Sequence, residues 1–159
     1  MERVRPVEQD VIGLGENSLD RLVSVADFPC AGGKTHGVDL GAHPGGQVAG
    51  TILGCAKLGL RCAYLGVVGE DAAAEEALAP LRRAGVNLDG VVGRPDAQTR
   101  TAMIFVRESD GERSVLVRRD PRLDASKQDF SARALEGTRL LHVDATDPDL
   151  ALWAARQAD

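Results

Sequence analysis

Apolar and polar residues change period along this chain, and each change marks an element. From Pro44 to Gly59 the sequence reads PGGQVAGTILGCAKLG. Ala49, Ile52, Leu53 and Ala56 fall at i, i+3, i+4 and i+7, the spacing of one apolar helix face. Gly45 and Gly46 precede that helix, and Leu58-Gly59 closes it, glycine being common just past a helix end. Arg61 to Val68, RCAYLGVV, is mostly apolar and suits a buried parallel strand. Earlier, Val11-Ile12-Gly13-Leu14 reads as a short buried strand. Gly15-Glu16-Asn17 then lies at its C-terminal end, where open α/β sheets bind ligands.

A second helix follows Gly69-Glu70-Asp71, with Asp71 as its N-cap and Ala74, Ala77, Leu78 and Leu81 as its apolar stripe. Pro80 removes a backbone hydrogen bond inside it, so a kink or break is expected there. Gly85 ends it, and Val86 to Val92 is expected to be the next strand. Leu22 to Leu40 reads as short extended pieces broken by Pro29, Gly32 and Gly33. Thr101 to Arg119 has the period of a hairpin, with Asp110-Gly111 as a two-residue turn signal. Asp120 to Gly137 is polar loop with a short helix around Phe130 to Leu135. Leu140-Leu141-His142-Val143-Asp144 reads as another buried strand, with His142 packed in it. Asp147-Pro148 starts a last helix, with the proline at its first position.

The alternation of strands and helices implies an α/β domain, and 159 residues suit one domain with a sizeable core. Hydrophobic content of 43% and charged content of 27% are those of a soluble globular protein. A net charge of −5 and the lack of a basic run exclude a nucleic-acid role. The N-terminal MERVRPVEQD has no apolar signal core, and Val48 to Val68 is interrupted by Lys57 and Arg61, so no membrane span is expected. Cys30, Cys55 and Cys62 lack metal-ligand spacing and read as buried reduced thiols of a cytoplasmic protein, with no metal.

Three glycine patterns are tested against known phosphate loops. Gly13-Leu14-Gly15-Glu16-Asn17-Ser18 lacks the third glycine of a dinucleotide fingerprint, and no helical pattern follows. Gly33-Lys34-Thr35 lacks the earlier P-loop glycine, its place being taken by Phe28. Gly45 to Gly50 has the glycine spacing, but Thr51 stands where lysine is required. What the paired glycines at 45 and 46 do offer is close backbone approach at a helix N-terminus. A plain tight turn packed on the sheet needs the same residues.

Gly-Gly, a helix of small residues, Leu-Gly, an apolar strand, Gly69-Glu70-Asp71 and then Ala84-Gly85-Val86 resemble, in that order, the N-terminal signature of the PfkB (ribokinase-like) carbohydrate kinases. The resemblance implies a ribokinase-like three-layer α/β sandwich with a mostly parallel sheet and a small β lid. It implies one partial kinase domain over 1–159, with lid segments at about 20–43 and 99–119 inserted in the α/β core. The implied activity is phosphoryl transfer from ATP to a sugar hydroxyl. The partner is a sugar or sugar derivative, and a homodimer through the lid is the oligomer it allows.

The resemblance also assigns roles residue by residue. Asp20 matches the aspartate whose carboxylate binds sugar hydroxyls, and Gly45, Gly46 and Gln47 stand at the sugar cradle. Many members carry asparagine where this chain has Gly50, which removes a polar side chain from the cradle and leaves the sugar undefined. Arg118 or Arg119 matches an arginine that grips acidic sugars in some members; a solvated, charged strand edge is the plainer account. Asp144 matches a carboxylate that touches sugar in the ribokinase branch. Family members take ATP and Mg²⁺ through an Asn-x-x-Glu motif and a Gly-Ala-Gly-Asp motif, whose aspartate is the base. Neither motif occurs here. The C-terminal nucleotide-binding part is therefore expected to be missing, no catalytic residue is assigned, and the chain alone is expected to be inactive. A non-catalytic sugar-binding or dimerising remnant is one alternative, and a Rossmann-type oxidoreductase is another. Coding sequence beyond Asp159 with a Gly-Ala-Gly-Asp motif separates a kinase fragment from a remnant.

Overall fold

The computed structural model describes residues 8–158. The N-terminal reading made above lies outside them through residue 7. The first strand, β1 (Gln9–Leu14), is the centre of the main sheet. Its side chains alternate between two cores: Val11 packs on one face, and Ile12 and Leu14 on the other. Period-2 alternation with both faces apolar is what a strand buried between two layers requires. β4 (Cys62–Gly69) pairs with β1 in parallel and is buried throughout. β5 (Val91–Arg94) and β8 (Thr138–Val143) complete the order β5-β4-β1-β8, with every pairing parallel.

Helices cover both faces. α1 (Gln47–Lys57) and α2 (Ala72–Arg83) pack Val48, Ile52, Leu78 and Leu81 against Val11, Tyr64 and Val68. The opposite face is covered by three 3₁₀ turns between 121 and 135 and by α3 (Pro148–Gln157), through Leu123, Phe130, Leu135, Leu150 and Ala154. A second sheet, ordered β3-β2-β6-β7, leaves this core: β2 (Ser18–Val25), β3 (Gly37–Gly45), β6 (Thr101–Arg107) and β7 (Arg113–Arg118). β2 pairs antiparallel with β3 and parallel with β6, and β6 pairs antiparallel with β7.

Several expectations are corrected. α2 runs through Pro80 without a break. The carbonyl that loses its donor belongs to exposed Glu76, which water can satisfy, and buried Leu78 and Leu81 hold the helix on either side. The strand expected at Val86 begins only at Val91, because Asn87 accepts the Asp89 amide at 2.8 Å and turns the chain. The connection between the hairpin strands is five residues, 108–112, not two: Arg107 N donates to Glu112 O at 2.8 Å, and Gly111 takes the positive φ of 74°. The helix expected near Phe130 is 3₁₀ in geometry, Ala132–Leu135. β8 is an edge strand, not a buried one, and leaves Leu140 54% exposed. Cys30 is exposed on the turn between β2 and β3, while Cys62 is buried and Cys55 half-buried. No helix among the described residues is long and apolar enough to cross a membrane.

Candidate functional site

The chain leaves β1 at Leu14, turns through Gly15–Asn17 and enters β2 at Ser18. This turn is the hub of the site. Tyr64 on β4 is fully buried, and its hydroxyl donates to Gly15 O at 2.7 Å. Asn17 Nδ2 donates back to the Tyr64 hydroxyl at 2.7 Å and to Val67 O at 3.4 Å. Burial pushes the Tyr64 phenol far above its ordinary value, against the opposing hydrogen bond from Asn17. Gly66 must lack a side chain here, since a Cβ would stand 2.1 Å from the phenol oxygen.

Glu16 N donates to Asp144 Oδ2 at 2.8 Å, so the end of β8 is tied to the turn after β1. Asp144 Oδ1 accepts the Thr146 amide at 3.0 Å. The Glu16 carboxylate is ion-paired with Arg100, whose side chain is only 11% exposed, and accepts from the Thr146 hydroxyl at 3.4 Å. The helix α1 is seated on the same turn: Ala49 N donates to Glu16 O at 3.2 Å. Gly46 is its N-cap, at φ 89° and ψ 137°, with no side-chain cap and no acidic residue in the first turn.

Asp20 stands on β2 opposite His43 of β3, and Ser18 Oγ donates to its carboxylate at 2.7 Å. A Cβ on Gly45 would fall 2.2 Å from Asp20 Oδ2, so the carboxylate lies against the Gly45 backbone. Asp20, Gly45 and Gly46 thus form one rim, joined to Glu16 and Asp144 through the turn. Gln47 is exposed at the start of α1, and Gly50 faces open space one turn later. Beside the rim is a cleft enclosing about 580 Å³ of empty space, part of it open to solvent. Glu16, Asn17, Arg100, Arg119, Asp144 and Thr146 give it a polar wall; Leu14, Phe130 and Leu150 give it an apolar one. Arg119 is held by Asp124. Arg118 is placed elsewhere, in a groove with Arg21, Met103 and the first turn of α2. The three cysteines are dispersed, and no group of three or more His, Cys, Asp or Glu side chains among the described residues could hold a metal.

Four polar contributors were not singled out from the sequence: Glu16, Asn17, Tyr64 and Arg100. Glu16 and Asn17 did sit in the right loop. Tyr64 looked like one more apolar strand residue, and Arg100 lies in a connection with no period. A further network ties the start of the second sheet's β6 to the start of α2. Thr99, 1% exposed, donates its hydroxyl to Asp71 Oδ1 at 2.6 Å and its amide to Asp71 Oδ2 at 3.0 Å. Asp71 also caps α2 through the Ala74 amide at 2.9 Å. Burial opposes the charged form of Asp71, but these three hydrogen bonds outweigh it and hold the carboxyl below its ordinary range.

Comparison with known proteins gives a consistent picture. The pfkB family carbohydrate kinase model matches residues 10–158. Fructokinase-1 of Oryza sativa subsp. japonica is 35% identical over 115 residues, which are 72% of this chain and 34% of that protein. The ribokinase of Schizosaccharomyces pombe is 32% identical over 114 residues, 68% of this chain and 36% of that protein. Among solved structures, the Arabidopsis thaliana ribokinase complexed with ribose and ATP matches in fold with a TM-score of 0.78 at 19% identity. That match covers 94% of this chain and 49% of that one. The chain spans about a third of the length of the curated relatives it matches.

Proposed function

Because the chain belongs to the PfkB family of carbohydrate kinases, we propose that it is the sugar-binding part of an enzyme moving the ATP γ-phosphate to a sugar hydroxyl. The observation that carries this reading is the Asp20 carboxylate lying against Gly45, ahead of α1 and at the C-terminal end of β1. An aspartate accepts hydrogen bonds from vicinal hydroxyls, and uncapped helix amides meet a sugar oxygen from the other side. Asp144 sits across the turn as a second acceptor, with Gln47 and Gly50 on the near face of α1. The second sheet acts as the lid, excluding water while the hydroxyl is held. Its exposed Val38, Val115 and Val117 support closure over the substrate or pairing with a second copy. Arg118 lies off this rim, and its part in the reading is restricted to the edge of the lid.

ATP and Mg²⁺ belong to the full-length enzymes of the family. In this reading the described residues lack a ready cation site, since no group of three or more His, Cys, Asp or Glu side chains among them could hold a metal. No step of phosphoryl transfer is therefore assigned to these residues, and the chain alone is proposed to be inactive and cytoplasmic. Thermal unfolding with D-fructose and with D-ribose tests the reading, using Asp20→Ala as control. A ligand that binds only the folded state, at a hundred times its dissociation constant, adds about 2.7 kcal/mol. The expected result is a raised midpoint in the parent and none in the variant. Equal shifts in both, or sugar-dependent ATP turnover by the pure chain, contradict the proposal.

A further inference from the structure

The two faces of the second sheet carry different chemistry. Asp20 shares one face with Ala102 and Val117, its register partners on β6 and β7. The opposite face carries Arg21, Met103 and Leu116 in one row, and Arg118 beside Thr101 in the next. These residues form one wall of a groove enclosing about 920 Å³ of empty space, part of it open to solvent. The start of α2 forms the other wall, through Ala72, Ala73 and Glu76. The groove is thus separated from the Asp20 rim by the thickness of the sheet.

It holds two cations above an apolar floor. Arg107 and Arg119 are ion-paired with Asp110 and Asp124. Arg21 and Arg118 are exposed and form no ion pair with a described residue. Asp71 is close enough to feel Arg118: burial opposes its charged form, bonds from Thr99 and the Ala74 amide favour it, and the Arg118 charge adds to them without pairing. Sheet geometry puts the Cα atoms of Arg21 and Arg118 about 12 Å apart, two strand spacings across and two residues along. Met103 lies between them, so guanidinium groups reaching inward can meet on one anionic group above it. Two arginines against Glu76 leave the lining net positive. Leu116 is 69% exposed, apolar area that an apolar body would take out of water. Ala72 and Ala73 are too short to fill the space opposite. A bare anion would leave this floor wet, and a neutral apolar molecule would leave the guanidinium groups unmatched. We infer that the groove binds a small organic anion with an apolar body, its anionic group held by Arg21 and Arg118 and its body lying on Met103 and Leu116. The ligand touches the sheet on one wall and α2 on the other, and so ties the two together.

Amide NMR titration of the full chain tests this with phenyl phosphate, and with inorganic phosphate and phenol as its separate halves. Phenyl phosphate is expected to bind at least about tenfold more tightly than either half and to shift amides of β2, β6, β7 and the first turn of α2. Arg21→Gln and Arg118→Gln are each expected to lose about tenfold in phenyl phosphate affinity, the worth of a charge-assisted hydrogen bond. Leu116→Ser should weaken phenyl phosphate and leave inorganic phosphate unchanged. Arg113→Gln, on the same strand but the opposite face, should bind as the parent does. All four positions are exposed, so the fold does not depend on them. Parental affinity in either Arg21→Gln or Arg118→Gln overturns the inference. So does an equal loss in Arg113→Gln, a set of shifted amides outside the groove, or phenyl phosphate binding no tighter than inorganic phosphate.

Discussion

Gly46→Ala and Gly50→Ala, one helical turn apart in the same motif, are expected to move stability in opposite directions. At Gly46 the backbone sits at φ 89° and ψ 137°, close to a region populated essentially by glycine, where a side chain costs about 1–3 kcal/mol. The added Cβ would stand 2.4 Å from Asn17 Cα, 2.5 Å from Glu16 O and 2.8 Å from Asn17 N. All three are backbone atoms of a turn pinned by Tyr64, so no side chain can swing aside. Relief requires α1 to lift from that turn, an overpacking effect of about 1–3 kcal/mol. Together the two give about 2–6 kcal/mol against a typical total of about 5–15 kcal/mol. At Gly50 nothing lies within 4 Å of the new Cβ, and φ is ordinary. There alanine gains the helix-propensity difference of about 0.5–1 kcal/mol. Urea unfolding followed by Trp153 fluorescence and far-ultraviolet dichroism measures both changes from the shift in midpoint. A Gly46→Ala protein within about 1 kcal/mol of the parent, or a destabilised Gly50→Ala protein, would show that the turn does not fix the helix start as argued.

Asp71→Ala removes the cap of α2 and strands the buried Thr99, so a loss of about 2–4 kcal/mol is expected in the same urea assay; Asp71→Asn should lose less. Asp71 and Asp129 both have folded pKa values held down. Burial opposes this at Asp129 too, but bonds from the Ser126 amide, Arg94 and the Ser126 hydroxyl outweigh it. Between those values and the unfolded value of about 3.9 the unfolded chain binds more protons, so stability is present above about pH 4 and is lost as pH falls through the folded values. A pH titration of the urea midpoint should show that fall, and Asp71→Asn should flatten it; an unchanged slope would dismiss the assignment. Leu140→Lys and Leu152→Lys, at exposed apolar positions on the β8 edge and α3, should lower self-association in sedimentation velocity. If the parent is already a monodisperse monomer, those surfaces are not sticky.

Elements whose signal is local were legible in the sequence alone. The stripes of α1 and α2, the cap at Asp71, the Asp147-Pro148 start of α3 and the apolar run of β4 each depend on residues within a turn or two of one another. The rim of Asp20, Gly45 and Gly46 was reached only through family resemblance, because β3 carries Gly45 back to β2 from a distance. Pairing decided the rest. β8 looks like a buried strand from its leucines, but burial depends on having a neighbour on each side, and it is an edge. Pro80 looks like a break, but packing on either side overrides a missing hydrogen bond. Asn17 and Tyr64 are 47 positions apart, and neither residue announces that its partner is polar. Only the parallel pairing of β1 with β4 brings them together. Periodicity reports which face of an element is apolar; which polar atoms end up without a partner is a property of the assembled sheet.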